Sequence, residues 1–391
     1  MRVVVIGAGI VGASTAYHLA TRYGTRGDLD VVLVDREDAG RATDAGAGIV
    51  CPWISPYVDT RSPAYQLNVR GASYYPRLLA RLAEAGEPHS GFSAVGAVFV
   101  SPDPDEVARA YEHLAARTAR TPAAGVATRL QPEEVRRLFP PLRADLGGVH
   151  VSGGGRVDGR VLRDVLLRAG SRFGVRRLTR SARLLLDHDR CTGVVVDGPG
   201  GGKAIRADAV VVAAGAWSDQ ILAPTGVRVG VAPQKGQIVH LHAPDTDTSS
   251  WPVIQPAGSH YLLAFPGGRI VVGATREDGS GYDVRITAAG LREVLSDALA
   301  VAPGLGDLTV LETRVGLRPL SDDGLPVVGR LPHDENVVVA TGLGATGLTA
   351  GPYVGALAAA LALGEDLDVL EDDTPNQPPL DLAPFRPGRH R

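Results

Sequence analysis

Lysine is almost absent from this chain: Lys203 and Lys235 are the only two in 391 residues, and arginine supplies nearly all of the positive charge. That bias is compositional, and no function is read from it. Cysteine is equally scarce. Cys51 and Cys191 stand far apart in sequence, which excludes a CxxC redox pair and a zinc-type ligand spacing. Both read as small buried hydrophobes, and no metal site is expected. A surplus of one charge is missing too. The formal net charge of -3 is too small to recruit nucleic acid or an anionic membrane. No apolar run reaches the ~18 residues of a membrane span. The longest, an Ala-rich stretch at 353–363, reads as a buried helix. A cleavable leader is not expected, because apolar residues 3–6 run straight into a glycine turn. The expected location is the cytoplasm.

What is present is the composition of a globular enzyme, 44% hydrophobic and 21% charged. The length exceeds one ordinary core, so two domains are expected. Residues 3–6 form a short apolar strand ending in glycines, and 10–23 carry apolar residues at helical spacing (Val11, Tyr17, Leu19, Ala20). A second buried strand at 31–34 completes a right-handed βαβ unit within about 35 residues. The apolar stretches 209–213 and 337–340 also end in glycine and read as strands of the same sheet. Residues 77–145 look helix-rich. From 231 to 273 the pattern is β, with strands at 237–241, 261–264 and 269–272 and a Pro-Gly-Gly hairpin turn at 266–268. Residues 291–300 read as an amphipathic helix, and the tail after Glu371 as an irregular surface segment. The fold class is α/β, with one sheet interrupted twice by a second domain. We expect residues 1–76, 146–225 and 321–391 in the nucleotide-binding domain, and 77–145 with 226–320 in the substrate domain.

The stretch VVVIGAGIVGAS places Gly7, Gly9 and Gly12 in a GxGxxG turn between strand and helix. Gly7 permits the tight turn, Gly9 the approach of a pyrophosphate, and Gly12 close packing of helix on strand. Ile10 and Val11 open the helix, whose N-terminus favours phosphate charge. Asp35 ends the second strand, where a carboxylate can accept hydrogen bonds from both ribose hydroxyls; Arg36 follows it. The fingerprint is shared by FAD and NAD, and the remaining motifs favour FAD. Residues 40–50 (GRATDAGAGIV) offer Arg41, Thr43, Ala45, Gly46 and Gly48. Two further glycine-capped strand ends, AAGAW (213–217) and TGLGATGLT (341–349), imply an extended cofactor that backbone must approach along its length.

In order, GAGIVG, the acid at a strand end, AAGAWS, GLRPLSDDGLPVVG (316–329) and TGLGATGLT resemble the D-amino acid oxidase family. That family includes glycine oxidase, sarcosine oxidase and the bacterial D-amino acid dehydrogenases, and the resemblance spans nearly the whole chain. It implies a Rossmann-like FAD-binding domain with a discontinuous substrate domain built on an antiparallel sheet. It assigns FAD contacts to Gly7, Gly9, Gly12, Asp35, Thr43, Gly46 and Gly48. To these it adds the backbone of Val175 at the adenine, then Ala214, Gly215 and Trp217. The loop Gly342, Gly344, Ala345, Thr346, Gly347, Leu348 and Thr349 would meet the flavin's pyrimidine end. Arg318, in GLRP, matches the arginine that clamps the substrate carboxylate and borders the flavin. A bidentate guanidinium there would orient the substrate's α carbon. Tyr261 resembles a substrate-facing tyrosine of glycine oxidase, with half-buried sheet packing as the competing reading. The chain departs from the family in two ways. The covalent cysteine of the sarcosine oxidases is missing from 314–330, so FAD is expected to be non-covalent. Arg276 stands where glycine oxidase has an apolar residue, either as a second positive charge for a diacid or a polar side chain, or as a solvent-facing strand end.

The resemblance implies oxidative deamination of glycine or a D-amino acid, by hydride transfer from the α carbon to flavin N5. The product would be an imine, hydrolysed to an oxo acid. Oxidation of an N-methyl or specialised biosynthetic amine is an alternative, and a non-catalytic electron-transfer subunit is another. The motifs leave open O2 against a quinone or protein acceptor, and also a homo-oligomer.

Overall fold

A computed structural model of the chain describes residues 1–23, 29–198, 201–258, 260–365 and 380–389. Two large sheets organise it. The first has six strands in the order Val327–Leu331, Asp334–Thr341, Ala209–Val212, Arg2–Ile6, Asp30–Asp35 and Arg176–Thr179. All pairs are parallel except the first, which is antiparallel. Its central strands are continuous Val-rich runs because both faces are covered, one by helices and the other by a three-stranded antiparallel sheet, Ala182–Asp187, Arg190–Val196 and Lys203–Arg206. The helix Ile10–Tyr23 follows the first strand and packs on Gly347–Leu363 and Gly159–Arg172. The Ala-rich stretch is thus part of the core, as its burial on all sides shows: Gly344–Leu363 is long and apolar enough to cross a membrane by composition, yet most of it lies inside the fold.

The second sheet has eight strands, in the order Thr309–Ser321, Val231–His242, Arg269–Gly273, Tyr261–Phe265, Val253–Pro256, Ala97–Ser101, Gly147–Val151 and Ala127–Leu130. It is antiparallel apart from the pair between Val253–Pro256 and Ala97–Ser101. The expected hairpin is present, with Gly267 and Gly268 at φ +77° and +71°. Residues 77–145 hold the helices Pro104–Thr118 and Pro132–Leu138, and also two strands of this sheet that the helical texture hid. Gly147–Val151 pairs with both of those strands. A division at residue 146 therefore separates a strand from its own sheet.

The long strand Thr309–Ser321 links the two sheets: Leu317 bridges to Arg41 and Leu320 to Leu343, both beside the glycine turns of the first sheet. Of the tail expected to be irregular, 372–379 and 390–391 lie outside the described residues. Residues 380–389 do pack: Phe385 is fully buried and Arg389 pairs with Asp323 at 2.7 Å.

Candidate active site

Open parallel sheets bind ligands beyond the carboxyl ends of their strands, and here that edge opens into a long cleft. Its walls come from the strand ends at Ile6, Val34–Arg36, Ala213–Trp217 and Ala340–Thr341, and from the facing strands of the second sheet. At one end lie Gly7, Gly9, Ile10, Val11, Asp35 and Arg36. Gly7 has φ +101°, and a Cβ there would stand 2.4 Å from the Ala213 carbonyl oxygen, so no side chain is tolerated. Asp35 accepts from the Ala8 amide at 2.5 Å through one oxygen. Its other oxygen accepts from the Glu37 amide and from Arg41, both at 2.6 Å. Arg41 also reaches Asp44 at 3.0 Å. Thr43 accepts from the Ile10 amide at 2.9 Å and so caps the helix that begins the cleft. Ala45, Gly46, Gly48 and Ile49 then carry the wall toward the second sheet.

Ala214, Gly215, Trp217, Gly344, Ala345, Gly347 and Leu348 all line the same cleft. Five expected contacts do not. Gly12 is packed away from it, its Cβ position 1.8 Å from the Gly7 carbonyl oxygen, in the packing role expected of the third glycine. Gly342 lies against Val327, Thr346 donates to the Leu343 carbonyl at 3.0 Å, and Thr349 donates to the Ile49 carbonyl at 2.8 Å. These residues shape the loop from behind. Val175 is the clearest correction. It precedes the strand Arg176–Thr179, which runs parallel to Asp30–Asp35, so it stands at the edge away from the cleft. The residues past that strand's carboxyl end, Arg180, Ser181 and Ala182, line the cleft instead.

At the far end three side chains converge: Tyr261 from Tyr261–Phe265, Arg276 from just beyond Arg269–Gly273, and Arg318 from Thr309–Ser321. Arg318 donates to the Thr275 carbonyl at 3.0 Å and lies 3.4 Å from Gln234 Oε1. Its charge is also coupled to the neighbouring Tyr261 phenol. Burial pushes the Tyr261 phenol above its ordinary pKa against the opposing charges of Arg318 and Arg276, so the phenol stays protonated at neutral pH. Burial also pulls the Arg318 guanidinium below its usual range. Gly236 was not anticipated. A Cβ there would fall 2.4–2.6 Å from the Arg318 guanidinium, so the missing side chain makes room for the arginine. Ile238 and Ala274 complete this apolar-sided end. Among the described residues neither Arg276 nor Arg318 has a carboxylate ion-pair partner. Two unneutralised cations and a phenol facing one pocket form a receptor for carboxylates.

The cleft and its open mouth together hold about 1680 Å³ free of protein atoms. Two helix N-termini, at Ile10 and Gly347, open into it, and both favour negative charge. Side-chain-free backbone at Gly7 and an acid at a parallel strand end fit the pyrophosphate and ribose of a flavin dinucleotide. The amides around Gly347 fit its polar ring edge.

The comparisons agree with that reading. The family model described as DAO, FAD dependent oxidoreductase, matches residues 2–361. An uncharacterized oxidoreductase of Bacillus subtilis, YurR, is 45% identical over 385 residues, covering 98% of each chain. Glycine oxidase of Pseudomonas aeruginosa is 31% identical over 392 residues, 99% of this chain and 98% of its own. Among solved structures, iminodiacetate oxidase (IdaA) from Chelativorans sp. BNC1 superposes with a TM-score of 0.88 at 44% identity, covering 99% of both chains.

Proposed function

This chain belongs to the DAO family of FAD-dependent oxidoreductases, and from that premise we propose that its substrate is a small amino acid carrying two carboxylates, of the iminodiacetate type. The broader activity, FAD-dependent oxidation of an amine or amino acid, follows from the family. The substrate class is the inference. One observation carries it: Arg276 and Arg318 face the same end of the cleft without carboxylate partners among the described residues. Similarity to iminodiacetate oxidase supports it. Glycine would engage one arginine and leave the other charge unanswered. For that reason the diacid reading is preferred to the glycine or D-amino acid reading of the motifs.

In this account Arg318 holds the carboxylate next to the carbon to be oxidised, and Tyr261 donates its free proton to the same group. Arg276 holds the distal carboxylate. The two fix the substrate at both ends, which places its central CH–NH segment without any side-chain base. Bound FAD supplies the acceptor for the two electrons of the broken C–H bond. Asp35 and the Gly7–Gly9 turn would hold its nucleotide half, and residues 344–348 its ring edge. The oxidised substrate is an imine; water cleaves it to an oxo acid and an amine, which for iminodiacetate are glyoxylate and glycine. We propose O2 as the final acceptor, because two of the named relatives, glycine oxidase and iminodiacetate oxidase, are oxidases.

The test is substrate ranking. With Arg276→Met, turnover of iminodiacetate should fall by roughly ten- to a hundredfold relative to glycine or sarcosine, the scale of a lost hydrogen-bonded charge contact. An unchanged ranking would remove the distal-carboxylate assignment.

A further inference from the structure

We infer that Lys235 is a positioning residue, which occupies Glu277 and so keeps Arg276 free to meet a substrate carboxylate. This rests on the diacid reading above. Lys235 is buried, with 1% of its side chain exposed, and its ammonium lies 3.4 Å from Glu277 and 3.6 Å from Asp283. A buried cation in a chain with one other lysine calls for a reason.

Residues 275–278 read Thr-Arg-Glu-Asp, and they continue past the strand Arg269–Gly273 along Val231–His242. Lys235 and Glu277 exchange backbone hydrogen bonds at 3.1 and 2.9 Å, and the Thr275 amide donates to the Gln237 carbonyl at 3.2 Å. Three of the four side chains are tied down. The Thr275 hydroxyl accepts from the Gln237 amide at 2.9 Å. Glu277 accepts from Gln237 and Thr275, both at 2.7 Å. Asp278 accepts from Gln234 at 2.8 Å. Arg276 alone of the four lines the cleft. Although burial opposes it, hydrogen bonds from Gln237 and Thr275 and the charge of Lys235 hold the Glu277 carboxyl below its ordinary range.

Glu277 is therefore an ionised carboxylate next in sequence to the arginine that must stay unpaired. An arginine neutralised by that carboxylate would no longer attract a substrate carboxylate. Lys235 prevents this by giving the carboxylate a buried counter-charge at 3.4 Å. Asp283 is not an alternative partner for Arg276, because it is already engaged by Arg285 at 2.9 Å and by Lys235.

The experiment measures the affinity of the flavin-loaded protein for diglycolate, the ether analogue of iminodiacetate that has no amine to oxidise, by perturbation of the flavin spectrum. Lys235→Met should weaken diglycolate binding by tenfold or more and leave acetate binding nearly as it was. Lys235→Arg should retain most of the wild-type affinity. Lys235→Met combined with Glu277→Gln should recover affinity, because the competing carboxylate is gone. A purely structural lysine would give no such recovery. Where Lys235→Met does not retain flavin, Glu277→Gln alone decides: diglycolate affinity should hold within about twofold, and a tenfold loss would overturn the inference. Equal weakening of diglycolate and acetate by Lys235→Met, or no weakening of either, would also overturn it. Arg276→Met is the control that separates the two claims. If it leaves diglycolate binding intact, the diacid reading fails. If it weakens binding while Lys235→Met does not, only the role of Lys235 fails.

Discussion

The Tyr261 phenol and the Arg318 guanidinium line the same end of the cleft, and the charge of the arginine opposes the burial that raises the phenol's pKa. The raised pKa leaves the phenol protonated at neutral pH, with its proton available to a substrate carboxylate. Tyr261→Phe should therefore lower kcat/KM by roughly ten- to a hundredfold, the scale of about 1.5–3 kcal/mol for a hydrogen bond to a charged group. Flavin content should be unchanged. Wild-type kinetics in the Phe variant would return Tyr261 to a packing role.

Gly236→Ala probes Arg318 without touching it. The added methyl would stand 2.4 Å from the guanidinium, so the arginine must move. We expect KM for carboxylate substrates to rise at least tenfold with the fold retained, measured beside far-UV circular dichroism. An unaffected KM would mean that Arg318 tolerates displacement and does not clamp the substrate.

Asp35 binds the Ala8 amide and Arg41 at the nucleotide end. Asp35→Ala should release FAD during gel filtration and raise its Kd by roughly ten- to a thousandfold, since one substitution removes both the ribose acceptor and the clamp on the glycine turn. Retention of stoichiometric flavin would place the ribose elsewhere.

His240 should govern acid stability. It is 1% exposed, neither ring nitrogen has a hydrogen-bond partner among the described residues, and burial together with Arg314 and Arg269 pulls its pKa down to about 3. In the unfolded chain it titrates near 6.5. The unfolded state thus binds more protons between those values, and stability falls as pH drops from about 6.5 toward 3. His240→Leu should flatten that slope and match or exceed wild-type stability at pH 7, as read from urea midpoints across the range. An unaltered acid slope would assign it to other groups.

Local chemistry is what a reader of the sequence can recover. The βαβ unit, its three glycines and Asp35 are legible because each is fixed by neighbours within about 35 residues. Arg318 and Tyr261 are recoverable through the family's motif order. Contacts set by pairing across the chain are not. Val175 was placed at the nucleotide, yet strand direction puts Arg180–Ala182 there. The strand Ala97–Ser101 was hidden among helices because a short strand buried on both sides carries no alternation, and Ala127–Leu130 because four residues, two of them exposed, are too few to show a period. Gly236 became meaningful only once Arg318 was seen packed over it. For Lys235 the signal was in the composition, as one of two lysines, but its partners are 42 and 48 residues away in sequence.

The central claim is that this cleft oxidises an amine held between two carboxylate sites. The most direct measurement is anaerobic mixing of the flavin-loaded protein with iminodiacetate, glycine, sarcosine and D-alanine, followed at the flavin's visible band. The account predicts that iminodiacetate bleaches the band fastest and at the lowest concentration, with colour returning when air is admitted. Bleaching by glycine or D-alanine in preference to iminodiacetate, or by none of the four, would contradict it.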